Sequence, residues 1–215
     1  MKRSFAQLSL VWGLVLFATS VVGCAGTGEL RHLNLSLKQP AAPTTRVEPV
    51  KIVIEPFEDR RVNQTHVGAR SHLGGGVTLF DVAGGKPVDV IAQALVNRLK
   101  SRGWNGRAWD VSIGRAGSAA DADIVISGVV EEFSANAKSR AFSTVIDAKN
   151  RIRIQAKNLA DGSTTTRNIE NARNRTVFWF DEEDVRDLLS EILNDGIERL
   201  LADTKITAKS LKPVR

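Results

Sequence analysis

The sequence predicts an α+β fold, an antiparallel sheet of about four to six strands with two helices packed on one face. Three observations predict it. Residues 146–157 alternate, with Ile146, Ala148, Ile152, Ile154 and Ala156 on one side and Asp147, Lys149, Arg151, Arg153, Gln155 and Lys157 on the other. A strand half in core and half in water reads this way. Val50–Phe57 and Ile124–Val130 are β-branched, apolar runs, which suit strands. Two further stretches, Pro87–Arg102 and one starting near Asp181, repeat apolar residues at helical spacing.

The composition bounds the class. The chain has 215 residues, 42% hydrophobic and 25% charged, with a formal charge of +6. That is ordinary globular composition, long enough to bury a core without staples. One cysteine excludes an internal disulfide framework and any cysteine-rich zinc site.

The first 24 residues form a leader. Lys2 and Arg3 are followed by an apolar run, Leu8 to Val22, ending in Val21-Val22-Gly23-Cys24. The run sits where a signal h-region sits and is short for a bilayer span. Basic start, apolar run, small residue and cysteine, in that order, resemble the lipobox of bacterial lipoproteins. The resemblance implies cleavage before Cys24, diacylation of its sulfur and acylation of the new amino group. Multiple acyl chains anchor stably, at about 0.8 kcal/mol per buried CH₂. Ala25 rather than Asp follows the cysteine, which under enteric sorting implies the outer membrane, facing the periplasm. Loss of residues 1–23 removes Lys2, Arg3 and no acid, so the charge falls from +6 to +4. That mild excess, in that compartment, argues against nucleic acid as a partner.

The remaining elements follow in order. Residues 24–48 read as anchor and tether, with Pro40 and Pro43; alternation of Leu33, Leu35 and Leu37 leaves a short strand or an extended linker open. Residues 49–204 read as one periplasmic α+β domain. Its first strand, Val50–Ile54, ends at Pro56, since proline cannot donate to a ladder. A long loop follows, with a short strand expected at 77–81. The first helix starts at Pro87, whose missing N–H suits the first turn, and Gly103 closes it. Strands are expected near Arg107–Ile113 and from Ile124 through Phe133. The alternating strand turns at Asp161-Gly162 and returns over Thr164–Phe178, with Trp179 as a core anchor. Asp181 caps the last helix, whose stripe runs from Val185 to Leu201 and whose opposite face carries Glu191, Asp195 and Arg199. Residues 205–215 read as a loose basic tail.

The search for chemistry finds no catalytic constellation. His66 and His72 lie in a glycine-bearing loop without a ligand pattern, whereas a metal site needs three or four convergent ligands. Gly84-Gly85-Lys86-Pro87 lacks phosphate-loop spacing. Glu55, Glu58, Asp59, Glu131 and Glu132 sit at strand ends, where a carboxylate pair would serve glycoside hydrolysis but solvated acids are commoner; Asp59 with Arg60 suits a loop-ordering ion pair. No cofactor is implied. The best binding feature is basic. Lys149, Arg151 and Arg153 share the outer side of one strand, and Arg167, Arg173 and Arg175 share one side of the return strand. If those sides coincide, the hairpin carries a cationic strip for an anionic glycolipid, a lipid headgroup or an acidic envelope protein. The alternative is a charged solvent face that discourages edge aggregation.

In this order the features resemble the YajG-type lipoprotein family: the lipobox cysteine, an early strand ending near Asp59-Arg60, and a helix closing in Lys100-Ser101-Arg102-Gly103-Trp104. Ala122-Asp123-Ile124-Val125-Ile126, a long hairpin with the Asp161-Gly162 turn and an amphipathic C-terminal helix complete the set. The family supplies no catalytic residues. The expectation is a non-enzymatic outer-membrane lipoprotein, held in the bilayer through acylated Cys24 and acting as a periplasmic binding or envelope-assembly accessory. The alternative is an auxiliary lipoprotein of an envelope ABC transporter or lipopolysaccharide-export system.

Overall fold

The structure is a computed structural model and describes residues 28–36, 49–101, 109–114 and 121–214. Its spine is a long strand, β7 (Ile124–Ser139). On one edge β7 pairs antiparallel with β8 (Thr144–Asn158) from Ile124↔Asn158 to Ser139↔Thr144, and β8 pairs likewise with β9 (Thr164–Val177). The other edge of β7 is shared in succession by three short parallel strands: β2 (Lys51–Ile54), β3 (Glu58–Asp59) and β4 (Gly68–Ser71). Outside these lie β6 (Asp110–Ile113), parallel to β2, and β5 (Val77–Val82), antiparallel to β4. The strand β1 (Glu29–Leu33) adds parallel to β5.

The sheet therefore has nine strands and is mixed, not an antiparallel sheet of four to six. The long antiparallel strands carry a clear period-2 signal. The parallel partners are two to four residues long, too short for periodicity to register. Two other expectations change. The stretch expected to be tether contains β1, whose Leu33 is buried and whose carbonyl accepts from Ala83 N–H. The expected tail forms a hairpin of β10 (Thr204–Thr207) and β11 (Ser210–Pro213), with Leu211 in the core.

Both helices cover the same face. The helix α1 (Pro87–Lys100) has proline in its first turn, and Ser101 is its C-terminal cap; Arg102, Gly103 and Trp104 lie outside the described residues. The helix α2 (Glu182–Ala202) opens with a capping box: Asp181 accepts from Glu183 N–H, and Asp184 accepts from Asp181 N–H. Leu95 and Leu99 of α1 and Leu200 and Leu201 of α2 meet over Ile126, Ile154 and Ala156. This burial supplies most of the stabilisation, at roughly 25 cal/mol per Å² of apolar surface.

Two buried asparagines fix where α2 lies. The Asn150 side-chain N–H donates to the Ile192 carbonyl at 2.9 Å, and its oxygen accepts from the Asn171 backbone N–H at 2.9 Å. The Asn171 amide donates to the same Ile192 carbonyl at 3.1 Å. One turn on, Gly196 lies so close to β9 that an added Cβ would fall 2.2 Å from Ile169 Cγ2.

Candidate functional site

Strand directions place many ends together. β1 and β5 begin, β4 and β7 end, β8 begins and β9 ends at one end of the sheet, because Ser71 pairs with Lys138 and Val77, Glu29 with Thr78, and Thr144 with Ser139 and Val177. The start of α2 lies there too, since Arg31 Nε pairs with Glu182 Oε1 at 3.0 Å. We call this the hairpin end.

It carries the apolar surface. Trp179, Phe142 and Phe178 are 91%, 86% and 83% exposed. Leu73, in the β4–β5 turn, is also exposed, and Leu30 and Val77 lie at the starts of β1 and β5. Arg70, the β7–β8 turn and Phe178–Phe180 enclose an open groove of about 630 Å³. Of the aromatic triple, only Phe180 turns inward: its ring stacks on Phe80 with centroids 6.3 Å apart, and the Arg70 guanidinium lies 3.9 Å above it. Burial pulls the Arg70 pKa down from its ordinary value, and the Ser139 hydroxyl accepts from its Nε at 3.0 Å. Trp179 is thus a surface residue and not the expected core anchor. Three consecutive aromatics between a strand and a helix cap were the available signal; three rings in a turn cannot all reach one core.

The basic residues separate by face. In the β8–β9 register Lys149, Arg151 and Arg153 oppose Ala172, Glu170 and Asn168, whereas Arg167, Arg173 and Arg175 oppose Ile154, Ala148 and Ile146. Residues directly opposite share a face, so the first three point away from the helices and the last three lie on the helix side. The two sets do not form one strip. Arg151 pairs with Glu170 at 2.8 Å and Arg153 with Glu131 at 2.7 Å; the hydrogen bond and charge of Glu170 raise the Arg151 pKa further. Arg173 bridges Glu191 and Asp195, and Arg175 pairs with Glu191 at 2.7 Å, so the acids expected on the outer face of α2 clasp the sheet. Arg167 lines a small cavity of about 90 Å³ beside Glu170, Arg199 and Asp203.

The acids at strand ends serve the fold. Glu58 pairs with Arg60, and Asp59 takes a two-pronged pair from buried Arg61, at 2.9 Å to each oxygen. The ion pair expected between Asp59 and Arg60 is therefore made with Arg61. Arg61 also donates to the carbonyls of Gln64 and His66 and so holds the loop after β3. Burial pushes the Asp59 carboxyl up, but hydrogen bonds from the Arg61 side chain and backbone and the charges of Arg61 and Lys86 bring it below its ordinary value. His72 meets Thr78 Oγ1 at 2.9 Å. Among the described residues no three His, Cys, Asp or Glu converge as metal ligands, and no helix is long and apolar enough to cross a membrane. Cys24 lies outside the described residues.

Comparison with known proteins follows the fold. No curated protein matches the chain. Among solved structures, protein XCC0632 from Xanthomonas campestris has a TM-score of 0.52 at 12% identity, over 81% of this chain and 93% of that one; the likeness shows a shared fold. A neuraminyllactose-binding hemagglutinin homolog from Helicobacter pylori gives 0.41 at 10% identity, over 78% and 90% of the two chains. Lipoprotein GNA1162 from Neisseria meningitidis gives 0.36 at 9% identity, over 72% and 99%. Both lie below the level at which a shared fold is shown. The family model described as uncharacterized lipoprotein matches residues 56–209, from just before β3 to the turn of the C-terminal hairpin, and the chain accordingly belongs to this bacterial lipoprotein family, the YajG type.

Proposed function

We propose that this protein is an outer-membrane lipoprotein, acylated on Cys24 and facing the periplasm, that acts without catalysis as a binding or assembly accessory of the envelope. The observation that carries the reading is the order of Lys2-Arg3, the apolar run and Gly23-Cys24 ahead of a domain of a lipoprotein family. The engagement of Asp59, Glu131, Glu191 and Asp195 in ion pairs with arginines supports an organising role for the acids. The exposed aromatic end supports a surface that works by contact, because large rings left in water forgo burial that contributes roughly 1.5–3 kcal/mol per side chain.

Two measurements test the reading. Metabolic labelling with a palmitate analogue is expected to mark the wild-type chain and leave Cys24→Ser unmarked; equal labelling of both would overturn acylation at this residue. Mild crosslinking in intact cells, followed by mass spectrometry, is expected to recover an envelope protein in near-equal amount with the lipidated chain. Turnover of an envelope glycan or lipid by the purified protein would replace the accessory reading with an enzymatic one.

A further inference from the structure

We propose that the hairpin end of the sheet is a membrane-contacting foot: Phe142, Phe178 and Trp179 enter the headgroup layer of the bilayer that holds the Cys24 acyl chains, and Arg70 and Arg140 face its lipid phosphates. The inference rests on acylation of Cys24. It adds which part of the domain meets the bilayer and through which side chains.

The first argument is position. The Gly28 N–H donates to the Val77 carbonyl at 2.8 Å, which fixes Gly28 at the hairpin end. Gly28 is four residues beyond Cys24, and a chain spans at most about 3.6 Å per residue, so the two Cα atoms are within roughly 14 Å whatever the path. The acylated residue sits at the membrane surface. The end of the domain that carries Gly28 is therefore held close to the headgroups, and the opposite end is a strand length or more away.

The second is the distribution of apolar side chains. Leu30, Leu73, Val77, Phe142, Phe178 and Trp179 are six of the ten large hydrophobic residues exposed among the described residues, and all lie at this end. They come from the starts of β1 and β5, the β4–β5 and β7–β8 turns and the segment after β9. Six neighbouring strands, from β9 to β1, present this row; at about 4.8 Å per strand it is roughly 24 Å long. A rigid row of that width suits a flat surface. Aromatic side chains, tryptophan above all, favour the bilayer interface, where the ring is buried and its N–H stays wet.

The third is charge. The acids at the start of α2 are engaged: Asp181 and Asp184 in the capping box, Glu182 with Arg31 and Glu183 with Arg186. Arg70 is fixed over Phe180, and Arg140 sits in the β7–β8 turn, where its backbone N–H donates to the Ser143 carbonyl. Both line the groove with the exposed rings. Guanidinium groups beside apolar rings match phosphates above acyl chains.

The test uses the full lipidated protein, with Trp104→Phe, in vesicles of phosphatidylethanolamine and phosphatidylglycerol whose acyl chains are brominated near the headgroup. The emitters left in the domain are then Trp109, which is buried, and Trp179. The expected result is quenching of the tryptophan emission with a blue shift. Trp179→Ala removes most of that quenching, and Phe142→Ala with Phe178→Ala weakens it. All three rings are exposed, so these variants keep the fold. Protein that floats with the vesicles while Trp179 stays unquenched overturns the foot and leaves the anchor standing. The same result with crosslinking of this end to a protein in cells gives the surface to a protein partner, and also overturns the foot. A mature protein with no acyl mass on Cys24 overturns the anchor, and the foot with it.

Discussion

At the scale of residues, Asp59 and Arg61 show how an extended chain chooses partners. Successive side chains in a strand point to opposite faces, so Glu58 finds Arg60 and Asp59 finds Arg61, each two residues on. Adjacency in sequence suggested Asp59 with Arg60, and the period of two explains why that pairing does not form. Arg61 is buried and holds the loop after β3 through the Gln64 and His66 carbonyls. Asp59→Asn leaves this guanidinium buried against a neutral amide, and the expected cost is about 3 kcal/mol in a urea unfolding experiment. The pH dependence has a definite sign. The folded-state pKa of Asp59 lies below its ordinary 3.8, so the unfolded chain takes up the proton first. The contribution is complete above the ordinary value and is lost as the pH falls through the lowered folded one. Asp59→Asn is therefore expected to lose less stability than wild type between neutral pH and pH 3. An equal loss in both would show that Asp59 does not contribute to the acid sensitivity.

The same arithmetic of alternation governs the basic residues and the long elements. The odd-numbered arginines of β9 would join those of β8 only if paired residue numbers summed to an even value. The register pairs Ile146 with Arg175 and Arg151 with Glu170, an odd sum throughout, and so places the two sets on opposite faces. The faces within each strand were readable from the sequence; the connection that sets the sum was not. Both helices were readable too, from their stripes and from Pro87 and Asp181. The seating of α2 was not, because it depends on Gly196 meeting Ile169 and on Asn150 and Asn171 sharing the Ile192 carbonyl. Alanine at 196 gains up to about 1 kcal/mol of helix propensity, yet its Cβ would lie 2.2 Å from Ile169 Cγ2. Overpacking of this kind costs about 1–3 kcal/mol, so Gly196→Ala is expected to lower the melting temperature; a rise would mean that α2 shifts freely on the sheet. The C-terminal hairpin was hidden because its turn uses Ala208 and Lys209 at positive φ in place of the glycine or asparagine that announces such turns. Leu211 fills the core, accepts from Asn158 and donates to it. Truncation after Asp203 uncovers the leucine site and removes both Leu211 hydrogen bonds of the buried Asn158 amide, leaving its oxygen without the Leu211 N–H. A loss of about 3–5 kcal/mol is expected in denaturant titration, whereas a loose tail would be removable at no cost.

At the scale of the molecule, the strand order decides what the anchored end presents. Nothing in local periodicity says that β2, β3 and β4 share one edge of β7, or that β1 returns to lie beside β5. Those pairings bring the β1 start, the β7–β8 turn and the Trp179 segment to one end. With only three residues between Cys24 and Gly28, the acyl chains and the aromatic row act as two linked contacts with one bilayer, and the link sets the effective concentration of the second. A flexible Gly-Ser insert between Cys24 and Gly28 changes only that link. Acylation and fold are expected to persist, while the local concentration of the aromatic end at the surface falls roughly as the −3/2 power of linker length. Progressively longer inserts should therefore lower Trp179 quenching in brominated vesicles step by step, with flotation unchanged. Quenching independent of linker length would mean that the aromatic end holds the membrane by itself, and that the anchor and the foot are separate attachments rather than one coupled device.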